Sequence, residues 1–530
     1  MKKIFSLFLC LTCLSFSDNP LSEDEKSALQ SIQVNTLKAH LTFLQDDLME
    51  GREAGERGNL IAANYIAGEF EKLGLIPKGD GGSYFQSVKL VSAHIQPETK
   101  LTLNAKKPVQ FAFDSDFLLY NYPQTDTVIK KELVFARYGI TAPEYNYDDF
   151  KDLDVKDKIV VIFAGEPISA DSGFFMGNKN SKYALLSHKS KAIKRLGAAG
   201  ALVLATPEHA GSYKFLSNYL GHRTVSLNRD YVHSNSENSD FVFPVLNPDA
   251  SKQFAENIGW KFDEVAVSLT KQKTGTIKNA TVEITVKSNR RYFDSPNVVG
   301  LLEGSDPELT KEYVILSAHF DHIGITKPVD GDSINNGATD NASGTSALLN
   351  AAEAFAKLKI KPKRSILLVA CTAEEKGLLG SKFYAENPTI DLSKAIANIN
   401  MDVIGFATSE KVSSITLVGD DYTTLGATMQ KWARFVGLTP LPDLFPEQNF
   451  FQRSDNYNFS VKGVPSISPG AGTESKADFD VYLKYYHKPS DQLGKVPFSF
   501  NVLRLQAQCI FLSALDVANA QEKPKWLKKL

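Results

Sequence analysis

Tyr313-Val314-Ile315-Leu316-Ser317-Ala318-His319-Phe320-Asp321-His322 is an apolar run of buried-strand type that ends on side chains able to bind metals or move protons. The pattern recurs. Ile366-Leu367-Leu368-Val369-Ala370 leads into Cys371-Thr372-Ala373-Glu374-Glu375, and Ile396-Ala397-Asn398-Ile399 leads into Asn400-Met401-Asp402-Val403. A fourth run, Ile415-Thr416-Leu417-Val418, follows, and helical stretches lie at Gly344 to Leu358, Thr424 to Val436 and Phe500 to Ala518. Alternation of this kind predicts an α/β fold with a mixed, mainly parallel central sheet and helices on both faces. In such a sheet ligands bind beyond the carboxyl ends of the strands.

Two further residues join that edge. Asp340 stands in Gly337-Ala338-Thr339-Asp340-Asn341-Ala342-Ser343-Gly344, just before a helix, and His487 in Tyr485-Tyr486-His487-Lys488-Pro489-Ser490-Asp491. Taken singly, each residue has a plainer reading: a structural histidine, a solvated pair of glutamates, an aspartate capping a helix. Together, His319, Asp340, Glu375, Asp402 and His487 make up the two imidazoles and three carboxylates that a pair of zinc ions sharing a carboxylate requires. Glu374 is left over. If its segment is extended it points away from Glu375, and a carboxylate beside a metal site is placed to act as general base.

The rest of the chain frames this centre. Of 530 residues, 43% are hydrophobic and 23% charged, as in ordinary globular proteins, and the length suits two or three domains. A net charge of -2 supplies no field for nucleic acid. Lys2 and Lys3 precede an apolar run from Ile4 to Phe16 that closes on Ser15-Phe16-Ser17, so residues 1–17 read as an export signal and the protein as periplasmic or secreted. The run is too short for a stable membrane span. Lipid attachment at Cys13 is less favoured, because Thr12 is a poor lipobox residue. Cleavage after Ser17 leaves Cys371 and Cys509, both in apolar runs, as free buried thiols. Ile61, Ala62, Tyr65, Ile66, Phe70 and Leu73 recur at helical spacing, after a break at residues 49–55. Short β-type runs at Glu132-Leu133-Val134-Phe135, Lys158 to Phe163 and Ala201 to Leu204, with a helix near Tyr183 to Leu196, indicate a β-rich insert over 110–275. It divides an N-terminal part, 18–109, from the main domain, 276–530.

These motifs, with Glu374-Glu375-Lys376-Gly377-Leu378-Leu379-Gly380-Ser381, Arg453-Ser454-Asp455-Asn456-Tyr457 and Tyr486-His487, resemble the co-catalytic di-zinc aminopeptidase family. Its relatives include glutamate carboxypeptidase, glutaminyl cyclase and the transferrin receptor ectodomain. The insert is similar to a protease-associated domain in Asp157 to Ile162 and Leu196 to Ala201. The resemblance implies two zinc ions bridged by Asp340, with His319 and Asp402 completing one site and Glu375 and His487 the other. It makes Glu374 the base, Asp321 the orienter of His319, and Tyr486, aided by Arg453, the hydrogen-bond donor to the substrate carbonyl. Asn456 stands where many relatives carry histidine. The expected activity is removal of N-terminal residues from peptides with free N-termini. A carboxypeptidase, a one-zinc glutaminyl cyclase and an inactive receptor-like binding protein are the alternatives.

Overall fold

The computed structural model describes residues 21–122, 126–220, 223–228, 241–409, 413–470 and 474–530. The export signal expected at 1–17, and with it Cys13, lies outside the described residues. The larger of two main sheets has the strand order Arg223–Leu227, Phe85–Ile95, Ser288–Leu302, Ser365–Cys371, Tyr313–His319, Ala395–Asn400, Ser466–Gly470, Ser414–Val418, Thr439–Pro442. The four strands from Ser365–Cys371 to Ser466–Gly470 are parallel, and the strand on either side of this block runs antiparallel to it.

Side chains along these strands alternate between two cores, as the two-residue repeat demands. Val314, Leu316, Ala318, Ile366, Leu368 and Ala370 pack on one face with the helices Val34–Leu44, Arg57–Lys72, Ser343–Lys357, Leu425–Phe435 and Phe500–Asn519. Tyr313, Ile315, Leu367, Val369 and Cys371 pack on the other with Tyr384 and Phe459, from the helices Leu379–Glu386 and Asn456–Ser460. Cys371 and Cys509 are free and buried, as expected. Among the described residues no helix is long and apolar enough to cross a membrane.

Register brings the chemistry to one level. His319 is paired with Cys371, and Ser317 with Asn400, so His319, Glu374, Glu375 and Asp402 all emerge at the carboxyl edge of the parallel block.

The second sheet is built from strands between residues 100 and 286, in the order Val109–Ala112, Lys100–Asn104, Gly275–Val286, Thr127–Phe135, Ile159–Phe163, Gly200–Leu204, Phe243–Leu246, Phe117–Asn121. One strand within this span leaves it: Arg223–Leu227 pairs antiparallel with Phe85–Ile95 and extends the larger sheet. A second tie is the Lys191 ammonium, 5.7 Å from the centre of the Tyr457 ring.

Helix Leu186–Arg195 covers this second sheet and buries Lys189 completely. The ammonium donates to the Tyr138 carbonyl, and burial lowers its pKa to about 7 despite Asp149 and Glu166 nearby. Between that value and the unfolded value of 10.5 the unfolded chain holds the extra proton, so this residue makes stability rise with pH from about 7 to 10. Lys189→Met is expected to be more stable than wild type at pH 7, with the gap closing toward pH 10. Urea midpoints across that range measure it; two parallel curves would refute the assignment.

Candidate metal centre

His319 ends its strand with Nε2 lying 3.2 Å from Asp402 Oδ1, 3.3 Å from Asp340 Oδ1 and 3.9 Å from Glu374 Oε2. His487 Nε2 lies 3.0 Å from Glu375 Oε2 and 3.3 Å from Asp340 Oδ2. The two oxygens of Asp340 therefore face one histidine each. All six residues expected at the centre, Glu374 included, meet there. One that was not assigned to it joins them: His322, Asp340 and Glu375 form one potential ligand group, as do His319, Glu374 and Asp402, the atoms within each lying inside 4.8 Å of one another.

The loops that carry these side chains are shaped for it. Asp340 does not cap the helix Ser343–Lys357; Asn341 Oδ1 accepts from Gly344 N at 2.9 Å instead, which leaves the Asp340 carboxylate to the histidines. Both Asp340 N and Thr339 N donate to the buried Asp491 carboxylate. Gly337 adopts φ +58, and a Cβ there would lie 2.2 Å from the Asp340 carbonyl oxygen, so the loop excludes any side chain at that position. Glu374 and Glu375 diverge for a different reason from the one expected. Their segment is a turn, with Gly377 N and Leu378 N donating to Glu374 O, rather than an extended strand. Ala373, Val403 and His487 all have positive φ, which is uncommon outside glycine and an outlier for β-branched Val403. Each is a candidate side chain or the neighbour of one, where such strain gathers at functional sites.

Supporting groups set the orientation of the first histidine. His319 Nδ1–H donates to the backbone carbonyl of Asp321 at 3.2 Å, which aims Nε2 at Asp340 and Asp402; Nε2 would offer its lone pair to a metal bound there and donates a hydrogen to the carboxylates in the metal-free protein. The Asp321 carboxylate lies 3.8 Å from Nδ1 and instead accepts from Glu374 N at 3.0 Å and Glu375 N at 3.4 Å. Asp321 thus steadies the glutamate turn with its side chain and the histidine with its main chain. Ser454 Oγ donates to Asp402 Oδ2 at 2.5 Å. Asn456 Nδ2 donates to the Phe451 carbonyl and braces the loop that carries Ser454. Arg52, fully buried, donates to the carbonyls of Leu44, Phe320, Asn336 and Gly337 and so ties together the loops bearing His322 and Asp340. Tyr486 stacks on His487 with ring centres 3.8 Å apart, and its hydroxyl accepts from Arg453 Nη2 at 3.4 Å. Burial, reinforced by Asp340 and Glu375 and opposed by Arg453, pushes the Tyr486 phenol well above its ordinary value, so it keeps its proton as a donor.

The electrostatics call for cations. Asp321, Asp340, Glu374, Asp455 and Asp491 are buried, and Glu375 and Asp402 expose only 3% and 15% of their side chains. Against these seven carboxyl groups stand the Arg52 guanidinium and the rings of His319, His322 and His487. Burial and mutual repulsion raise Asp321 to about 7, Asp455 to about 6 and Glu374 well above the usual carboxylate range. So many buried carboxyls cannot all ionise without added positive charge. Oxygen and imidazole donors in this number fit two divalent ions of the zinc type.

Residues 297–500 match the family model described as Peptidase family M28. Aminopeptidase YwaD of Bacillus subtilis (strain 168) is 25% identical over 404 residues, covering 74% of this chain and 70% of the relative. The probable glutamate carboxypeptidase VP8 of Zea mays is 34% identical over 125 residues, which span 23% of this chain and only 16% of that protein. Among solved structures, an aminopeptidase from Aneurinibacillus sp. strain AM-1 aligns with a TM-score of 0.53 at 18% identity, covering 93% of this chain and 96% of that one, and shares the fold. The segment from 297 to 500, which holds every residue of the centre from His319 to His487, is therefore a domain of peptidase family M28, and the protein is a hydrolase.

Proposed function

We propose that the protein is an exported aminopeptidase that removes N-terminal residues from peptides with two zinc ions. The observation that carries this reading is the placement of the two Asp340 oxygens, each 3.3 Å from the Nε2 of a different histidine. Asp340 would be shared by both ions, with His319 and Asp402 holding the first and Glu375 and His487 the second. When bound, the ions would polarise the scissile carbonyl and lower the pKa of a water enough for a neighbouring base to deprotonate it to the attacking hydroxide. Glu374 takes the proton from that water and passes it to the departing amine, a task suited to a carboxylate whose proton affinity burial has raised. Tyr486 donates its phenolic hydrogen to the carbonyl oxygen as negative charge grows there. Arg453 orients the phenol.

The acidic surplus around the site favours the ammonium of a peptide N-terminus over the carboxylate of a C-terminus. Arg453, the cation beside Tyr486, donates to the Gln448 carbonyl as well and is exposed, a poor anchor for a buried carboxylate. The residues between 110 and 275 are read as a protease-associated domain, tied to the peptidase part where Lys191 lies over the Tyr457 ring. A chelator is expected to abolish hydrolysis of aminoacyl chromogenic substrates, and zinc to restore it, while N-acetylated versions stay uncut throughout. Cleavage of blocked substrates from the C-terminus would favour the carboxypeptidase instead, and a zinc count near two per chain would count against the cyclase.

A further inference from the structure

The ring of His322 is fully buried, directly behind the glutamate of the second ion position. Its Nδ1–H donates to Glu375 Oε1 at 2.6 Å, while the other oxygen, Oε2, faces His487 at 3.0 Å. Its Nε2 has no hydrogen-bond partner among the described residues. A proton there would be buried without an acceptor, so the hydrogen sits on Nδ1 and points at Glu375. The surroundings leave the ring little choice. Gly337 admits it, since a Cβ at that position would lie 2.7 Å from two ring carbons, and His322 N donates to the Arg52 carbonyl at 3.2 Å. A chain that buries an imidazole this completely for one side-chain hydrogen bond gains little stability from it, because burying the other ring nitrogen without a partner offsets the bond. What the bond does fix is the direction of a carboxylate.

We infer that His322 is a positioning residue for the second metal ion, occupying Glu375 Oε1 so that Oε2 alone is turned toward His487 and the ion. Glu375 sits in a turn and not on a regular element, so nothing in its backbone pattern alone dictates which oxygen points inward. The Asp321 carboxylate holds the glutamate's main chain, and His322 holds its side chain. The inference rests on the reading of Glu375 and His487 as holders of the second ion.

Stepwise zinc affinities from chelator competition test it, with the thermal midpoint of the metal-free protein measured alongside. His322→Ala is expected to weaken the second zinc about 10- to 100-fold and leave the first nearly unchanged, the usual scale for a group that orients a ligand. His322→Asn, whose amide nitrogen can stand in for Nδ1, is expected to recover most of that affinity. In wild type, nitrogen NMR should show the ring protonated at Nδ1. An Ala variant that binds both ions like wild type, whatever its thermal midpoint, overturns the inference, as does an Asn variant as weak as Ala, which would make His322 a direct ligand. Wild type that binds fewer than two ions overturns the two-zinc reading itself, and so is told apart from either result.

Discussion

Glu374→Gln is expected to keep both zinc ions and to lose about 100- to 10,000-fold in kcat with little change in KM, the range that separates a positioned general base from none. Glutamine has the shape of glutamate, and the backbone anchor of the turn, Glu374 N to Asp321 Oδ1, does not depend on the side chain. What disappears is the proton acceptor. The variant also separates two roles that the geometry allows, because Glu374 Oε2 lies 3.9 Å from His319 Nε2 and groups with His319 and Asp402 as a potential ligand. Metal analysis beside steady-state kinetics reads both. A variant that holds one zinc and is inactive would make Glu374 a ligand, and one with wild-type turnover would remove it from the mechanism.

The parallel block and its loaded edge were legible because each strand is a continuous apolar run that stops at a chemically distinctive residue, and a parallel sheet puts such stops side by side. The strand Arg223–Leu227 was not legible. Arg-Thr-Val-Ser-Leu is short and mixed in polarity, and its place on the outer edge of the larger sheet comes from pairing with Phe85–Ile95, more than 100 residues earlier. The same limit hid the supporting groups. Asp455 and Asp491 stood in motifs already noted and Arg52 in the break at residues 49–55, yet nothing local says that Arg52 spans carbonyls from Leu44 to Gly337 or that Asp491 receives the backbone of Thr339 and Asp340. His322 was visible as a histidine beside a candidate ligand, but its target, Glu375, is 53 residues away. For Asp321 the resemblance implied a carboxylate holding His319, whereas the main-chain carbonyl takes the histidine proton and the carboxylate is spent on the glutamate turn.

Asp340→Asn is expected to remove zinc from both positions and to cost more activity than any supporting residue, beyond the roughly 100-fold upper figure for groups that only orient a ligand. Each oxygen of Asp340 serves a different histidine, so one substitution weakens two sites, whereas Asp402 or Glu375 would weaken one. Metal content by atomic absorption, compared with Asp402→Asn, checks this; equal loss in the two variants would deny Asp340 its shared position. Stability of the metal-free proteins adds an independent reading of opposite sign for the two variants argued here. Burial raises the Asp340 pKa, but hydrogen bonds from His319 and His487 outweigh it and hold the group well below its ordinary 3.8. A depressed folded value means that ionised Asp340 contributes stability above pH 3.8, lost as pH falls through the folded value, so metal-free Asp340→Asn should melt lower than wild type at pH 7. Glu374 is held above its ordinary 4.5, so its ionisation opposes folding as pH rises, and metal-free Glu374→Gln should melt higher at pH 7. Zinc reverses the ranking of need. The ions supply the positive charge that lets both carboxylates ionise, and only Asp340 then holds them, so the Gln variant should gain melting temperature from added zinc as wild type does and the Asn variant should gain little.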